Sequence, residues 1–498
     1  MSPASIAINR FGYGYSAATA PTDAAADPRR ALLRQFDAFD PAPAAIAGRI
    51  DTRPKTSEIL ELLRRFRQDS RAVAAANEGA AAPAMMAEGM AAEAMTRQDA
   101  RDAALAGLPP EYRDKLVEAR RVLAEDIAAR VNLAVASPTP MAERLVHFWS
   151  NHFSVSVGKP GTQFEVGPHE FTAIRPHILG RFADMLKAAV LHPAMLIYLD
   201  QFQSIGPNAP FSQRRGRRGA DAPQRRRGLN ENLAREVLEL HTLGVDGGYS
   251  QADVTELARA LTGWTVPGLG RAGRFAEGQD SGAAFIALVH EPGARQVLGR
   301  SYPAGGAEQA LAILDDLARH PATARHIATK FARHFAGDTP PPALVARLEA
   351  DFRKSDGDLA SLTRTLIEAP EAWTPAPVKF RTPFEWLVAT LRLTGLQTFG
   401  TPQIVGALTQ LGQAPWRANS PAGYDDIAAS WAGPDALIRR VEFAERIARG
   451  AATENVIARA EAAFPGALSE PTLTQLKRAE SGRQALALLL VSPEMMRR

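Results

Sequence analysis

Cysteine is absent from this 498-residue sequence, and its absence excludes several kinds of chemistry. Without thiols the chain forms no disulfide bond, uses no cysteine nucleophile and binds no zinc or iron–sulfur centre through sulfur. The P-loop, the dinucleotide-binding GxGxxG motif, the GxSxG nucleophile elbow and the EF-hand calcium loop are missing as well. The candidate chemistry is therefore limited to histidine and carboxylate side chains.

Long apolar runs are also missing. No segment approaches the roughly 20 consecutive apolar residues that cross a bilayer, and the N-terminus MSPASIAINRFGYGYS has no basic stretch followed by an apolar one. We therefore expect no transmembrane segment, no signal peptide and a cytoplasmic location. Hydrophobic residues make up 46% and charged residues 22% of the chain, a globular composition that excludes a disordered or fibrous protein.

The periodicity of the sequence is helical. Alanine, leucine and arginine recur at helical spacing, whereas alternating β-branched runs are scarce. This pattern predicts an all-α fold, a large multi-helix bundle with a small irregular or β-containing insertion around residues 265–305. The predicted organisation is an N-terminal helical region (1–135), a main helical domain (136–445) and C-terminal helices packed on it (446–498). The Ala/Met-rich stretch at about 71–106 is predicted to be mobile, because alanine buries little surface.

One segment, NENLAREVLELH, carries an acidic stripe. At about 100° per residue, Asn232, Glu236 and Glu239 fall on one side of a helix, with Arg235 at the edge of that side. The opposite arc is apolar and includes His241, which predicts a core position for this histidine. Two carboxylates beside a guanidinium are typical of an acid–base or metal site, but equally of a solvated face with an Arg235–Glu239 pair.

Three further residues occupy positions where functional sites often occur. His152, in RLVHFWSNHF, falls among apolar side chains, where burial can shift the pKa of an imidazole; a hydrogen-bonded core histidine is the alternative. His290 precedes Glu291 at the end of an apolar, strand-like run, with a turn-stabilising role as the alternative. Glu385 lies at a helix start, where free N–H groups can bind an anion or a carboxylate.

The net charge of +4 originates in one segment. Seven arginines and a single aspartate lie between Gln213 and Gly228, so the rest of the chain is slightly acidic. The Arg214–Arg227 loop could bind the phosphates of a polyanion without recognising a base sequence, since no aromatic residue is interleaved with its arginines. A solvated insertion and a cationic lid over an anionic substrate are the alternatives.

The chain resembles the bacterial DUF1800 family, over most of its length from INRFGYG at Ile8 to about Arg440. The similar segments are HFWSNHF, HPAMLIYLD, NENLAREVLELHTLGVDGGYSQADVTELARALTGW, HEPGARQVLG, ATKFARHFAGDTPPPALV and KFRTPFEWLVATLR. The resemblance implies a mainly helical bacterial protein of unknown activity, often exported and often encoded beside a sulfatase-like companion protein. The recurring family positions that match here are Trp149, Asn151, His152, Asn230, Glu231, Asn232, Arg235, Glu236, Glu239, Tyr249, Asp253, Trp264, His290 and Glu385.

Three functional hypotheses follow. The first is a hydrolase-like enzyme with the catalytic residues Glu236, Glu239, Arg235, His152 and His290. Its substrate would contact Asn151, Asn232, Tyr249, Trp264 and Glu385. Such a site could hold a divalent metal ion through His152, Glu236, Glu239 and His290, or divide acid and base roles without a metal. The second hypothesis is a non-catalytic binding or scaffolding protein in which these groups form a buried polar network, and the third is polyanion binding through the Arg214–Arg227 loop.

Overall fold

The computed structural model describes most of the chain. The described residues are 1–16, 26–49, 110–216, 228–276, 282–377, 379–396 and 400–498. The Ala/Met-rich stretch at 71–106 and residues 217–227 of the arginine-rich loop lie outside them. The expectations for these two segments therefore stay predictions.

Helices dominate the described residues, which confirms the predicted all-α class. The first eleven α-helices are α1 (Pro3–Ile6), α2 (Pro28–Ala38), α3 (Ala44–Ala47), α4 (Pro110–Ala136), α5 (Pro140–His152), α6 (Val166–Pro168), α7 (Phe182–Val190), α8 (Pro193–Tyr198), α9 (Pro210–Gly216), α10 (Asn232–Glu236) and α11 (Gln251–Leu261). Three of them continue directly into a π-helical turn: Ala7–Phe11, His169–Ile174 and Val237–His241.

The C-terminal half is equally helical. Its α-helices are α12 (Ala307–Arg319), α13 (Pro321–Ala336), α14 (Pro342–Lys354), α15 (Leu359–Glu368), α16 (Pro383–Thr394), α17 (Thr401–Gln410), α18 (Pro434–Gly450), α19 (Val456–Ala463), α20 (Glu470–Arg478), α21 (Gly482–Leu490) and α22 (Pro493–Met496). Short 3₁₀ turns connect several helices: Thr162–Phe164, Arg175–His177, Gln201–Gln203, Gly273–Ala276, Ala287–Val289, Pro370–Trp373 and Ala428–Ser430.

The predicted β-containing insertion is present. β1 (Trp264–Thr265) pairs antiparallel with β2 (Ala284–Phe285), and β3 (Arg295–Val297) pairs antiparallel with β4 (Arg300–Tyr302). Between β3 and β4, Leu298 and Gly299 both have positive φ (50° and 74°), the backbone of a tight two-residue hairpin turn. These strands are too short to form a core of their own: β1 packs on α8, β3 on α11 and β4 on α12.

Two helices that matter for the site begin with clear start signals. α13 starts at Pro321, and the His320 Nδ1 atom accepts a hydrogen bond from the backbone N–H of Ala322 (3.2 Å). α16 starts at Pro383 and has a capping box, in which Thr382 and Glu385 each accept a hydrogen bond from the other's backbone N–H. The starting residue of both helices is thus defined by local contacts.

A single large hydrophobic core holds the helices together. It extends along the sequence from Ile6 to Met496, and it includes residues from all three predicted regions, while the boundaries at 135 and 445 stay predictions. Within it, α4 packs on α16 and α17, and α13 packs on α14. None of the described helices combines the length and the apolar character that crossing a membrane requires.

Candidate functional site

A cavity of about 300 Å³ opens between several parts of the fold. Its walls come mainly from α5, from one face of α13, from the start of α16 and from the segment 413–427, which we call the wall loop; Tyr13 and Arg130 also line it. The lining is rich in histidine, lysine, arginine and aspartate side chains, and Phe148, Phe384 and Trp416 supply its apolar part. A concave site with an apolar lining and converging titratable groups is the usual setting for small-molecule chemistry.

His334 and Asp426 form a hydrogen-bonded pair in the cavity wall. The His334 Nδ1 atom lies 2.8 Å from Asp426 Oδ2, so Nδ1–H donates to the carboxylate and Nε2 carries the lone pair. Nε2 is buried and has no hydrogen-bond partner within the described chain. Burial lowers the pKa of His334, and Asp426 opposes this only in part, so the imidazole is neutral near pH 7. A neutral imidazole with a free Nε2 can accept a proton.

Asp426 is held as an anion. Its carboxylate lies 3.2 Å from the ammonium of Lys379, which also contacts Asp338 (2.8 Å) and the Asp426 carbonyl. Burial would raise the pKa of Asp426, but His334 and Lys379 together lower it to about 2. Asp426 therefore stays charged and can stabilise an imidazolium that forms on His334.

Lys330 and Arg333 present positive charge on the same face of α13. Together with His334 they follow i, i+3, i+4 spacing, which aligns side chains along one side of a helix, and all three line the cavity. Burial lowers the pKa of Lys330 to about 8, with Asp426 opposing and Arg333 adding to the shift. Arg333 has a buried Nε without a hydrogen-bond partner. Across the described residues, neither side chain forms an ion pair or hydrogen bond.

His152 lines the cavity, and its buried ring packs among aromatic and imidazole rings, including those of Phe153 and His241. Its Nε2 atom donates to the carbonyl oxygen of His241 (3.1 Å), and its Nδ1 atom is buried without a partner in the described chain. Burial, and then Lys330, hold its pKa well below the ordinary value. His241 is fully buried, which confirms the predicted core position, although neither of its ring nitrogens has a partner among the described residues.

Asn151 fixes the wall loop. Its side-chain amide forms two hydrogen bonds with the backbone of Tyr424: Nδ2 donates to the carbonyl (2.9 Å) and Oδ1 accepts from the N–H (2.8 Å). The neighbouring Gly423 has φ +84°, and a Cβ there would lie 2.4 Å from the Asn151 carbonyl oxygen. Asn151 lines the cavity too, so the residue predicted to contact substrate also positions the loop that carries Asp426.

Glu385 borders the cavity but is already paired. Its buried carboxylate forms ion pairs with Arg144 and with Arg498 (2.9 Å), in addition to the capping box of α16. These arginines hold the pKa of Glu385 well below its ordinary value, although burial would raise it. Glu385 thus joins α5, α16 and residue 498, and this arrangement resembles the buried network of the second sequence hypothesis.

A tyrosine–histidine pair occupies the wall beside Glu385. The Tyr13 hydroxyl lies 2.5 Å from His147 Nδ1, and both residues line the cavity. Burial raises the pKa of Tyr13 and keeps its phenol protonated, whereas burial and nearby arginines keep His147 neutral. Because the phenol is protonated, Tyr13 donates to Nδ1, so the pair is a neutral, fixed part of the wall.

The predicted acidic stripe lies outside the cavity lining. The helix is regular only through Glu236 and then turns π-helical, so the assumed 100° step fails before Glu239. Glu239 accepts from the Tyr249 hydroxyl (3.2 Å), and Arg235 pairs with Glu231 (3.4 Å) instead of Glu239. Burial, and then Glu239, raise the pKa of Glu236. Asn232 is exposed, and no member of this group is among the residues that line the cavity.

His290 and Trp264 stabilise the β-containing insertion. The two ring nitrogens of His290 face backbone carbonyls, Nδ1 that of Thr262 (2.7 Å) and Nε2 that of Gly305 (3.1 Å), which fits the turn-stabilising alternative. Trp264, in β1, packs edge-on against Phe285. Like the acidic stripe, both residues are absent from the described cavity lining.

The predicted metal site does not form. Among the residues that the structure describes, no three histidine, aspartate or glutamate side chains come together as a metal-binding group. His152 contacts the end of the stripe-bearing helix from its buried side, while Glu236 and Glu239 lie on its half-exposed side, and the nitrogens of His290 are directed at carbonyl oxygens. Among the described residues, His152, Glu236, Glu239 and His290 thus do not come together as one group of ligands.

Comparison with known proteins identifies the family. A sequence profile described as a protein of unknown function (DUF1800) matches residues 6–497, nearly the whole chain. The chain belongs to the DUF1800 family. No curated protein and no solved structure matches it. Membership of DUF1800 thus assigns no reaction, and the cavity has to be interpreted from its own residues.

In this DUF1800 protein, sequence reasoning did not identify the main charged groups of the cavity. Lys330, Arg333 and His334 lie in ATKFARHF, a segment used only for the family resemblance. Their i, i+3, i+4 spacing was a usable signal, since polar residues on one face of an otherwise apolar helix indicate a site or a solvated face. Asp426 had no comparable signal, because it lies in a loop far along the chain.

Proposed function

We propose that this DUF1800 protein is a hydrolase-like enzyme whose general base is His334, oriented by Asp426, in the 300 Å³ cavity. The observation that carries the proposal is the His334 Nε2 atom, which is buried in the cavity wall without a described partner while Nδ1 is bonded to a carboxylate. An imidazole held in this way is the arrangement that activates water or a hydroxyl group in many unrelated hydrolases.

The proton transfers balance within this pair. A water molecule attacks the electrophilic carbon, phosphorus or sulfur of the substrate, and one of its protons passes to His334 Nε2. The imidazolium that results is stabilised by the Asp426 anion, which is itself held by Lys379. The same proton then passes from Nε2 to the leaving group as the bond to it breaks, and His334 returns to its neutral form.

Lys330 and Arg333 supply the second element of such a reaction. Negative charge develops on the substrate as water attacks, and fixed positive charges in a largely buried site stabilise it more than water would. Both side chains are on the face of α13 that carries His334, so base and cations are held in one rigid element. The Glu236–Glu239 stripe has no part in this proposal.

The test is a panel of chromogenic substrates that covers carboxylic, phosphate and sulfate esters and glycosides. We expect the purified protein to hydrolyse at least one class, and the variant His334→Gln to lose about 10²–10⁴-fold in rate, the usual contribution of a general base. His177→Gln, at a half-buried histidine outside the cavity lining, is the matched control and should keep the wild-type rate. No hydrolysis of any member, or equal rates in wild type and His334→Gln, would refute the proposal.

A further inference from the structure

The cavity contains two cations whose charge is not balanced by the described protein. Lys330 and Arg333 line it without an ion pair or hydrogen bond in the part of the chain that the structure describes. Removing a cation from water without a counter-ion costs free energy, so such groups are retained where a ligand supplies the opposite charge.

The acidic groups of the cavity do not fill this role. Glu385 is already paired with Arg144 and Arg498, and Asp426 is paired with His334 and Lys379. Asp425, the remaining carboxylate of the lining, is exposed and accepts a hydrogen bond from Ser430 (2.8 Å). A third cation, Arg130, is neutralised by Glu170 (2.8 Å) and lies over the rings of Phe384 and Trp416.

We infer that Lys330 and Arg333 together bind an oxyanion group of the ligand, a phosphate, sulfate or carboxylate. A lysine ammonium is a compact point charge with three donors, and an arginine guanidinium donates two parallel hydrogen bonds to a pair of oxygens. At i and i+3 of one helix the two groups can reach the same anion. His334, at i+4 from Lys330, then lies beside the bound group. The inference rests on the proposed function only where it places the bound anion next to the base His334. Anion binding by Lys330 and Arg333 does not itself require hydrolysis.

Calorimetric titration of the full chain with sodium phosphate, sulfate or acetate, at constant ionic strength adjusted with chloride, tests the inference. We expect saturable binding of at least one oxyanion, and the anion bound most tightly indicates the ligand class. Lys330→Met and Arg333→Gln should each weaken that binding about tenfold or more, since each removes a charge-assisted hydrogen bond. The matched controls are Arg325→Gln, exposed on the same helix, and Lys354→Met, exposed on α14; both should bind as wild type.

A labelling experiment on the wild-type protein gives a second readout that needs no variant. Amine-selective acylation followed by peptide mass spectrometry should modify Lys330 near pH 8, because burial lowers its pKa to about 8, and bound phosphate should protect it. Lys354 should be labelled equally with and without phosphate. Absence of saturable anion binding, or binding unchanged in both cavity variants, would overturn the inference.

The two proposals fail in different ways. His334→Gln should retain anion binding while it loses hydrolysis, because it keeps both cations. If anions bind as inferred but no substrate is hydrolysed, the base assignment is wrong and the anion site stands. If hydrolysis depends on His334 but no anion binds, the anion site is wrong and the assignment of His334 as the base stands.

Discussion

Lys330 is a residue at which the proposed anion site lowers stability. A lysine side chain in a largely buried cavity, without a described partner, raises the free energy of the folded state. Burial lowers its pKa from 10.5 to about 8, which means that the folded protein holds the proton less tightly than the unfolded chain does. Such local costs are common at functional sites and rare elsewhere.

Replacing Lys330 by Met should therefore stabilise the protein. Near pH 7 we expect the free energy of unfolding to rise by on the order of 1 kcal/mol, since an isosteric apolar side chain removes the desolvation cost. In the wild type, the unfolded chain binds more protons at Lys330 between about pH 8 and 10.5, so stability rises with pH there and the advantage of Lys330→Met shrinks. Denaturant unfolding of both proteins across this pH range checks the prediction, and a variant less stable at pH 7 contradicts it.

Asp426 should stabilise the fold at neutral pH and lose this contribution in acid. Its pKa falls from 3.8 in the unfolded chain to about 2 in the fold, so its contribution is complete above pH 3.8 and is lost as the pH falls through about 2. Asp426→Asn should lower the free energy of unfolding at pH 7 by about 2 kcal/mol. The difference from wild type should vanish below pH 2; a difference that persists there would show that packing, and not charge, is responsible.

At the scale of elements, the wall loop makes an unusually close approach to α5 at Gly423. Gly423 has φ +84°, and the loop passes so close to α5 that a Cβ would meet the Asn151 carbonyl oxygen at 2.4 Å. Only glycine adopts this backbone at little cost. The approach of the loop to α5 in turn determines where Asp426 meets His334.

Gly423→Ala should therefore impair both stability and activity. We expect a loss of about 1–3 kcal/mol in the free energy of unfolding from backbone strain, and a fall in hydrolytic rate larger than that of stability-matched variants, because Asp426 moves. Gly433→Ala is the control: Gly433 caps α18, its φ is −64°, and no atom lies within 4 Å of an added Cβ. Thermal unfolding and steady-state rates on the same preparations separate the two effects.

What the sequence predicts well is decided by local interactions. The helical class, the β-containing insertion and the buried position of His241 all follow from periodicity and turn residues, which act over a few residues. His152, Asn151 and Glu385 were found because they stand out within their own segments, and all three reach the cavity. The pairing of these segments with α13 and the wall loop was not predicted, because it depends on contacts between residues far apart in the chain.

The acidic stripe was predicted from the sequence as a site, but its residues do not line the cavity. A regular helix was assumed for NENLAREVLELH; the segment turns π-helical at Val237–His241, yet Glu236 and Glu239 still share its half-exposed side, and that side does not line the cavity. A strongly charged face also looks the same in sequence whether it lines a cavity or meets solvent. Only the tertiary arrangement distinguishes the two cases.

At the scale of the whole molecule, Glu385 connects parts of the chain that are distant in sequence. Arg144 bonds Glu385 and the carbonyl oxygen of Gly12, and Arg498 bonds Glu385 and the carbonyl of Arg10. All of these groups are buried, so each charge depends on the others for compensation. The N-terminal segment, α5, α16 and residue 498 are thereby held in one arrangement.

Glu385→Gln should be among the most destabilising single changes in the protein. It leaves Arg144 and Arg498 buried without a counter-charge, and we expect a loss of about 3–5 kcal/mol in the free energy of unfolding. Glu371→Gln removes a carboxylate from a more exposed pair with Arg347 and should cost less than about 1 kcal/mol. Chemical denaturation measures both, and a similar small loss for the two variants would mean that the network is not cooperative.

The location of Lys330, Arg333 and His334 on one helix has a kinetic consequence for the proposed reaction. A rigid helix moves these three groups in concert, so a small tilt of α13 would alter affinity and turnover together. Substitutions in the contact between α13 and α14, on the side away from the cavity, should accordingly change KM and kcat in parallel. The proposed reaction would thus be open to tuning from a distance, by repacking a hydrophobic surface that does not line the cavity.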